Sequence, residues 1–93
     1  MDPQLLEFKR LREESDIYAI VAEFGSPNVI YRYTITVDAG CNNCGGTNCV
    51  EYAALWYPIG GVYYLCGPCV FFSPLALQLR WAKPLGPPEK GAL

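Results

Sequence analysis

Two Cys-x-x-Cys pairs constrain this chain more than any other feature of its sequence. Cys41 and Cys44 form the first pair, Cys66 and Cys69 form the second, and the 21 residues 45–65 separate them. Paired cysteines at about this separation are typical of a zinc ion held by four thiolates. A tight turn within each pair would direct both sulfurs toward one metal ion at about 2.3 Å. The spacing therefore predicts a zinc site formed by Cys41, Cys44, Cys66 and Cys69.

A chain of 93 residues is in the size range where such a site matters for stability. A core this small gives only a few kcal/mol, and a metal or disulfides commonly supply the rest. The composition, 52% hydrophobic and 17% charged, is that of a folded domain. We therefore expect one domain that depends on its metal.

The cysteine count and the N-terminal segment indicate where such a protein works. Five cysteines, an odd number, fit a disulfide framework poorly. Residues 1–14 carry charges throughout and lack the apolar run of a secretory signal. No apolar stretch approaches the ~20 residues that cross a bilayer. We expect a protein of the reducing cytoplasm with no membrane segment.

The first element of the chain is predicted to be a helix over residues 3–14. Asp2 can cap it and Pro3 suits its first position. Apolar residues fall on one side of this helix and charged residues on the other. The apolar stripe is expected to pack on a sheet, although a partner-binding helix would show the same pattern. The stripe consists of Leu5, Leu6, Phe8 and Leu11.

Two β-hairpins are predicted next. The apolar run 17–24, the turn cluster 25–28 and the alternating stretch 29–37 predict the first hairpin. In that stretch the odd-numbered residues face one way, whereas Arg32, Thr34 and Thr36 face the other. Residues 50–57 and 62–65, joined through the turn 58–61, predict the second hairpin, which runs directly into Cys66.

The pattern after the second cysteine pair favours a helix over residues 70–81. Pro74 either kinks this helix or starts it, with Ser73 as the cap. From Lys83 onward the proline and glycine content predicts an extended, flexible tail. The predicted fold class is therefore α+β: a small zinc-stabilised domain over 1–82, with an N-terminal helix, two hairpins and a C-terminal helix, and a tail over 83–93.

A knuckle, a hairpin and a second cysteine pair that opens a helix resemble the treble-clef arrangement of zinc fingers. The resemblance covers residues 40–82 and depends on Cys41, Cys44, Cys66 and Cys69. The zinc ribbon is a similar arrangement, but it commonly has glycine after both knuckles. Here Gly45 follows the first pair and Val70 the second, which favours the treble clef. Both superfamilies are broad, so the resemblance implies a metal site and no particular function.

The segment 66–69, Cys-Gly-Pro-Cys, with Pro74 after it, also resembles the thioredoxin active site. That resemblance implies that Cys66 is the nucleophile, that Cys69 resolves the mixed disulfide and that Pro74 bends the helix. The thioredoxin fold needs further strands and a helix after this point, and residues 70–93 leave little room for them. Leu65 also occupies the position where that family usually has tryptophan. We therefore interpret the tetrapeptide as a knuckle, with redox activity as an alternative.

The remaining residues give little sign of catalysis. The chain has no histidine, and four thiolates would leave no open position on a zinc ion, so we expect no enzymatic activity. Cys49 is expected to be a small buried residue at the start of a strand, or an alternative ligand in place of Cys44. The same four thiolates could also hold iron.

Charge and aromatic content together favour a protein partner. Seven Lys and Arg against nine Asp and Glu give a net charge of −2, which disfavours nucleic-acid binding. Aromatic residues make up 14% of the chain and concentrate on the predicted hairpins, and Tyr and Trp are enriched at protein interfaces. Trp56 and Tyr57, beside the turn 58–61, are the predicted partner-binding residues. We expect a non-enzymatic accessory or regulatory module, with a redox protein or a nucleic-acid-binding zinc finger as alternatives.

Overall fold

The computed structural model of the chain describes residues 2–37, 39–57 and 59–85. It contains helices and a four-stranded mixed sheet in the order β3-β2-β1-β4, which confirms the predicted α+β class. Only β4 runs parallel to its neighbour, β1. The elements in chain order are α1 (Pro3–Glu13), α2 (Ile17–Phe24), β1 (Val29–Val37), β2 (Val50–Trp56), β3 (Gly61–Cys66), α3 (Gly67–Phe71), a 3₁₀ helix (Ala76–Trp81) and β4 (Lys83–Leu85).

Helix α1 forms where the sequence predicts it. The Asp2 side chain accepts a hydrogen bond from the Gln4 N–H at 2.8 Å, so Asp2 caps the helix as expected. Phe8 and Leu11 are buried, whereas Leu6 is exposed. The inner half of the predicted apolar stripe thus packs on the protein's own core.

The prediction of a first β-hairpin is wrong, because Ile17–Phe24 is helix α2 rather than a strand. Asp16 caps this helix by accepting a hydrogen bond from the Ala19 N–H at 3.0 Å, and Gly25, with φ +81°, ends it. Ile17 and Ile20 are buried three residues apart, which is helical spacing. In a run this short and apolar, strand and helix patterns overlap, and the Asp16 cap and the burial of Ile17 and Ile20 in the core together favour the helix.

The predicted second hairpin is confirmed, because β2 and β3 pair antiparallel. Ala54 of β2 lies between Ile30 of β1 and Tyr63 of β3, and all three are at most 1% exposed. On β1, Tyr31 is half-buried and Arg32 is exposed. The helices cover the Ile30, Ala54 and Tyr63 side of the sheet, because these residues share one buried cluster with residues of α1, α2 and α3.

The chain after Cys69 is divided rather than one continuous helix. Helix α3 ends at Phe71, and a 3₁₀ helix begins at Ala76. The Ser73 hydroxyl accepts from the Leu75 N–H at 3.1 Å and donates to the Val70 carbonyl at 2.8 Å. Pro74 lacks an N–H and disfavours helix in the residue before it, so the break occurs at this point.

The sheet also takes in the first residues of the predicted tail. Lys83–Leu85 form β4, with Lys83 opposite Tyr31 and Pro84 opposite Arg32. Proline is tolerated in an edge strand because one side of that strand needs no N–H donor. Residues 86–93 of the predicted tail lie outside the described residues. Within the described part of the chain, no helix is long and apolar enough to cross a membrane.

Candidate metal centre

The fold brings the four predicted cysteines together at the end of β3. Cys41 and Cys44 lie in the connection between β1 and β2, Cys66 ends β3, and Cys69 lies in α3. Their four sulfurs all lie within 4.8 Å of one another, and the Cys44 and Cys66 sulfurs are 3.8 Å apart. Four sulfurs at about 2.3 Å from one tetrahedral metal ion are about 3.8 Å apart. The group is thus compatible with a single metal ion.

The first cysteine pair is held in a tight backbone turn. The Cys41 N–H donates to the Gly46 carbonyl at 2.8 Å, and the Gly45 N–H donates to the Cys41 carbonyl at 2.9 Å. Gly45 has φ +77°, a conformation that glycine adopts without strain. Gly46 is needed for a different reason, because a Cβ atom there would lie 3.0 Å from the Cys49 sulfur.

Backbone N–H groups surround the buried sulfur of Cys41. This sulfur accepts from the Cys66 N–H at 3.4 Å and from the Cys44 N–H at 3.5 Å. Burial tends to raise the pKa of the Cys41 thiol, but these donors outweigh burial and lower the pKa to about 7. The turn therefore favours the thiolate, which is the form that binds a metal.

The second pair occupies the junction of β3 and α3. Cys66 is buried, and Cys69 is partly buried one helical turn later. Burial raises the pKa of the Cys69 thiol to about 12 despite a hydrogen bond with Asn43, so a metal ion would have to displace this proton. Both sulfurs of the Cys-Gly-Pro-Cys segment thus belong to the four-sulfur group rather than forming an isolated dithiol.

A polar shell around the first pair was missed from the sequence. The Asn42 side chain accepts from the Tyr64 N–H at 2.7 Å, and the Asn42 N–H donates to the Tyr64 carbonyl at 2.9 Å. The Asn42 carbonyl accepts from the Ser15 hydroxyl at 2.7 Å and from the buried Tyr63 hydroxyl at 3.3 Å. Burial and the nearby Cys41 and Cys69 raise the pKa of Tyr63, which keeps it a donor. Asn42 and Asn43, which lie between Cys41 and Cys44, could have indicated this shell in the sequence, because Asn side chains commonly hydrogen-bond to nearby backbone groups.

Cys49 lies beside the metal centre but outside the group of four. It is half-buried, and its sulfur flanks Gly46 together with the sulfur of Cys44. Burial and the neighbouring thiols, Cys66 first, raise the pKa of Cys49 to about 11. The expectation of a small buried residue is therefore met only in part, since Cys49 packs against the metal cluster rather than the main core.

A cavity of about 510 Å³ opens beside the cluster, where the pairing of β1 with β2 loses register. Arg32 still pairs with Tyr52, but the next pair is Val37 with Val50, so β1 has extra residues that β2 does not match. The cavity reaches the cysteine group, because Cys49 and Cys66 contribute to its lining. The described lining consists of Arg32, Tyr33, Thr34, Cys49, Glu51, Cys66 and Pro68.

The two predicted partner-binding residues have different environments. The sequence predicts that Trp56 binds a partner from its place beside the hairpin turn, but it is 2% exposed and its indole N–H donates to the Gly25 carbonyl at 2.9 Å, so it is a core residue. The Phe8 ring packs edge-on against it, with ring centroids 5.1 Å apart. Even residues of β2 face the helices, and this register buries Trp56. Tyr57 is 57% exposed, and its role in binding stays a prediction.

Comparison of the chain with models of known protein families, with curated proteins and with solved structures gave no match.

Proposed function

We propose that the chain is a zinc-stabilised protein-interaction module without enzymatic activity, a cytoplasmic accessory or regulatory protein that binds a larger partner. The observation that carries this proposal is a set of exposed apolar side chains on α3, the helix that contains Cys69, and on neighbouring elements. We name it the α3 surface. It comprises exposed side chains from α2, from α3 and the residue after it, and from the 3₁₀ helix: Tyr18, Phe71, Phe72, Leu77 and Trp81.

The large apolar side chains of the α3 surface are exposed to solvent. Phe72 is 83% exposed, Leu77 is 87% exposed and Trp81 is 67% exposed. Soluble monomers rarely expose contiguous apolar patches above a few hundred Å², and larger patches mark interaction sites. The Tyr18 hydroxyl donates to the Phe72 carbonyl at 3.2 Å, which connects the α2 and α3 parts of this surface. Aromatic residues of this kind are the usual anchors of protein interfaces.

The metal centre and the α3 surface share one short helix. Cys69 lies in α3, whose last residue is Phe71, and Phe72 follows the helix. A helix of five residues has little stability of its own, so its position depends on what anchors it. A metal ion bound through Cys66 and Cys69 would hold α3 in place, and with it the apolar side chains. In this proposal the metal has a structural role and the surface binds the partner.

Zinc is the metal that this site favours on chemical grounds. Four thiolates in a tetrahedron are typical of structural zinc, and the arrangement of turn, hairpin and helix supports the treble-clef assignment. Iron binds the same set of ligands. Purified protein that carries iron would be coloured, whereas zinc protein would be colourless.

Metal content is the first test of the proposal. Protein purified without added metal should carry one zinc ion per chain by native mass spectrometry and elemental analysis. Cys69→Ser should lose the metal and the structure of residues 41–49 and 66–71, because metal binding in such domains is coupled to folding. Cys49→Ser is the matched control and should keep one zinc. Metal-free protein that is fully folded would contradict the proposed site.

The α3 surface is tested by a variant that removes its apolar side chains without touching the core. Phe72→Ser combined with Leu77→Ser should keep zinc and the melting temperature, because both side chains are exposed. Leu6→Ser, which alters an exposed residue of α1, is the control. Proteins crosslinked to wild-type and control chains should be lost from the double variant by at least about 30-fold, the effect of losing about 2 kcal/mol at an anchor. Unchanged crosslinking would exclude this surface and leave Tyr57 as the next candidate.

A further inference from the structure

We propose that Cys44 and Cys49 form a reversible disulfide when the protein meets hydrogen peroxide, and that this disulfide releases the metal. The inference depends on the proposed metal site at Cys41, Cys44, Cys66 and Cys69. It assigns a function to Cys49, the one cysteine that is not a ligand in the proposed metal site. The proposal is carried by the exposure of Cys44 and by the positions of the two sulfurs around Gly46.

The four cluster cysteines are not equally accessible. Cys41 and Cys66 are buried and Cys69 is partly buried, whereas Cys44 is exposed. A metal-bound cysteine is a thiolate, and thiolates are the nucleophiles that react with peroxide. Oxidation follows thiolate character and exposure together. Cys44 is therefore the cluster sulfur that an oxidant in solution reaches first.

Cys49 is placed to react with an oxidised Cys44. A Cβ atom at Gly46 would lie 3.4 Å from the Cys44 sulfur and 3.0 Å from the Cys49 sulfur, so both sulfurs adjoin the same open position. Glycine at 46 leaves that space free for the sulfurs to approach each other. Cys49 also lines the cavity beside the cluster, so its sulfur is not sealed inside the protein.

The chain between the two cysteines has the conformation of a tight loop. Gly45 has φ +77° and Asn48 has φ +56°, both in the left-handed region. Gly40 and Thr47 form an isolated antiparallel bridge, which turns the chain back so that Cys49 returns toward the first pair. A disulfide needs the two Cα atoms within about 7 Å, a distance that a returning loop of four residues can satisfy.

The chemistry balances with one molecule of peroxide. The Cys44 thiolate attacks one peroxide oxygen, the O–O bond breaks, and sulfenic acid forms with one water after a proton is taken from solvent. The Cys49 thiol then attacks the Cys44 sulfur, an S–S bond forms, and the sulfenic oxygen leaves as a second water with the thiol proton. Two cysteines lose two electrons in total, and the peroxide gains them. The metal loses one of four ligands, and a thiol reductant reverses the step.

The test uses zinc-loaded full-length protein and peroxide as the probe. Wild-type protein should release its one zinc to a chromogenic chelator, lose the mass of two hydrogen atoms, and regain zinc after treatment with dithiothreitol. In the Cys49→Ser variant the Cys44 sulfenic acid has no Cys49 thiol to attack it, so excess peroxide should oxidise Cys44 further to the sulfinic acid, with the mass of two added oxygens. Dithiothreitol does not reduce a sulfinic acid, so zinc recovery should be lost. The Cys49→Ser protein before oxidation serves as the control, because Cys49 lies outside the four-sulfur group.

The position of the disulfide decides the assignment. After the free thiols are alkylated, a protease that cleaves after glutamate separates Cys41, Cys44 and Cys49 from Cys66 and Cys69, because Glu51 lies between the two sets. A disulfide between Cys44 and Cys49, with Cys41 alkylated, supports the proposal. A disulfide between Cys41 and Cys44, one that joins the two fragments, or full zinc recovery by Cys49→Ser overturns it. Protein isolated without metal would instead show that the proposed metal site itself is wrong.

Discussion

At the level of single residues, Asn42 joins the four-cysteine group to the rest of the fold. It lies between Cys41 and Cys44, and it bonds Tyr64 of β3 through both its side chain and its backbone N–H. Its carbonyl also accepts from Ser15, at the junction of α1 and α2. Asn42 therefore connects the first cysteine pair to the sheet and to the helices, and fixes where Cys41 and Cys44 lie relative to Cys66.

Asn42→Ala should lower the free energy of unfolding by about 1–3 kcal/mol, because it leaves the partly buried N–H of Tyr64 without its acceptor. Chemical denaturation of the zinc-bound protein measures the change. Asn28→Ala is the control, since Asn28 accepts from the Tyr57 N–H at 2.8 Å in an exposed setting where water can replace it. If both variants lose the same stability, burial of this bond does not matter and the role given to Asn42 is wrong.

Among the elements, α1 and β3 make an unusually close contact. A Cβ atom at Gly61, the first residue of β3, would lie 2.8 Å from the Phe8 ring of α1. The same ring packs on Phe24 and Trp56, with centroid distances of 5.8 and 5.1 Å. Helices α1 and α2 thus meet the second hairpin through one aromatic cluster, and glycine at position 61 leaves the space that the Phe8 ring occupies.

Gly61→Ala should lower the free energy of unfolding by about 1–3 kcal/mol, because the added methyl group overlaps the Phe8 ring. In the background Phe8→Leu, which has no ring, the same substitution should cost much less, and a double-mutant cycle measures the difference. Gly60→Ala is the control. That position has φ +72° and open space around it, so its cost should be the same in both backgrounds. Additive effects of Gly61→Ala and Phe8→Leu would contradict the contact.

In the whole molecule, two buried clusters have different sources of stability. The main cluster joins α1, α2, β1, β2, β3 and α3 through apolar contacts. A second, smaller cluster consists of Cys41, Val50 and Cys66, with Tyr33, Ala39, Cys49, Tyr64 and Cys69 packed against it. So few apolar residues bury little surface, and we infer that the second cluster depends on the proposed metal ion.

Acidification should therefore open the second cluster before the main one. The pKa of Cys41 in the fold, about 7, lies below its ordinary 9.0, so the ionised thiol stabilises the fold fully above pH 9 and loses this contribution as the pH falls through 7. Metal binding has the same sign, because protons compete with the metal for thiolates. Hydrogen exchange at decreasing pH should show protection lost at residues 41–49 and 66–71 while Ile30, Ala54 and Tyr63 stay protected. Simultaneous loss in both regions would contradict this division.

The sequence alone predicted which four cysteines come together and the elements with strong local signals. The cysteine spacing is a covalent property of the chain, and the structure brings the four predicted sulfurs together. Helix α1 has a capping aspartate, a proline and a periodic stripe, and the second hairpin has a glycine turn between two apolar runs. Each of these signals acts within a few residues, so each can be recognised in the sequence without knowledge of the tertiary structure.

Tertiary structure decided what local patterns left open. The run Ile17–Phe24 fits a strand or a helix, and the Asp16 cap together with burial against Phe8 and Trp56 makes it helical. Trp56 flanks a turn, but the register of β2 directs it into the core. Lys83–Leu85 has a tail-like composition and becomes a strand only because β1 offers a free edge. Burial, register and edge pairing are set by segments distant in the chain, so the local sequence pattern of these residues cannot predict them.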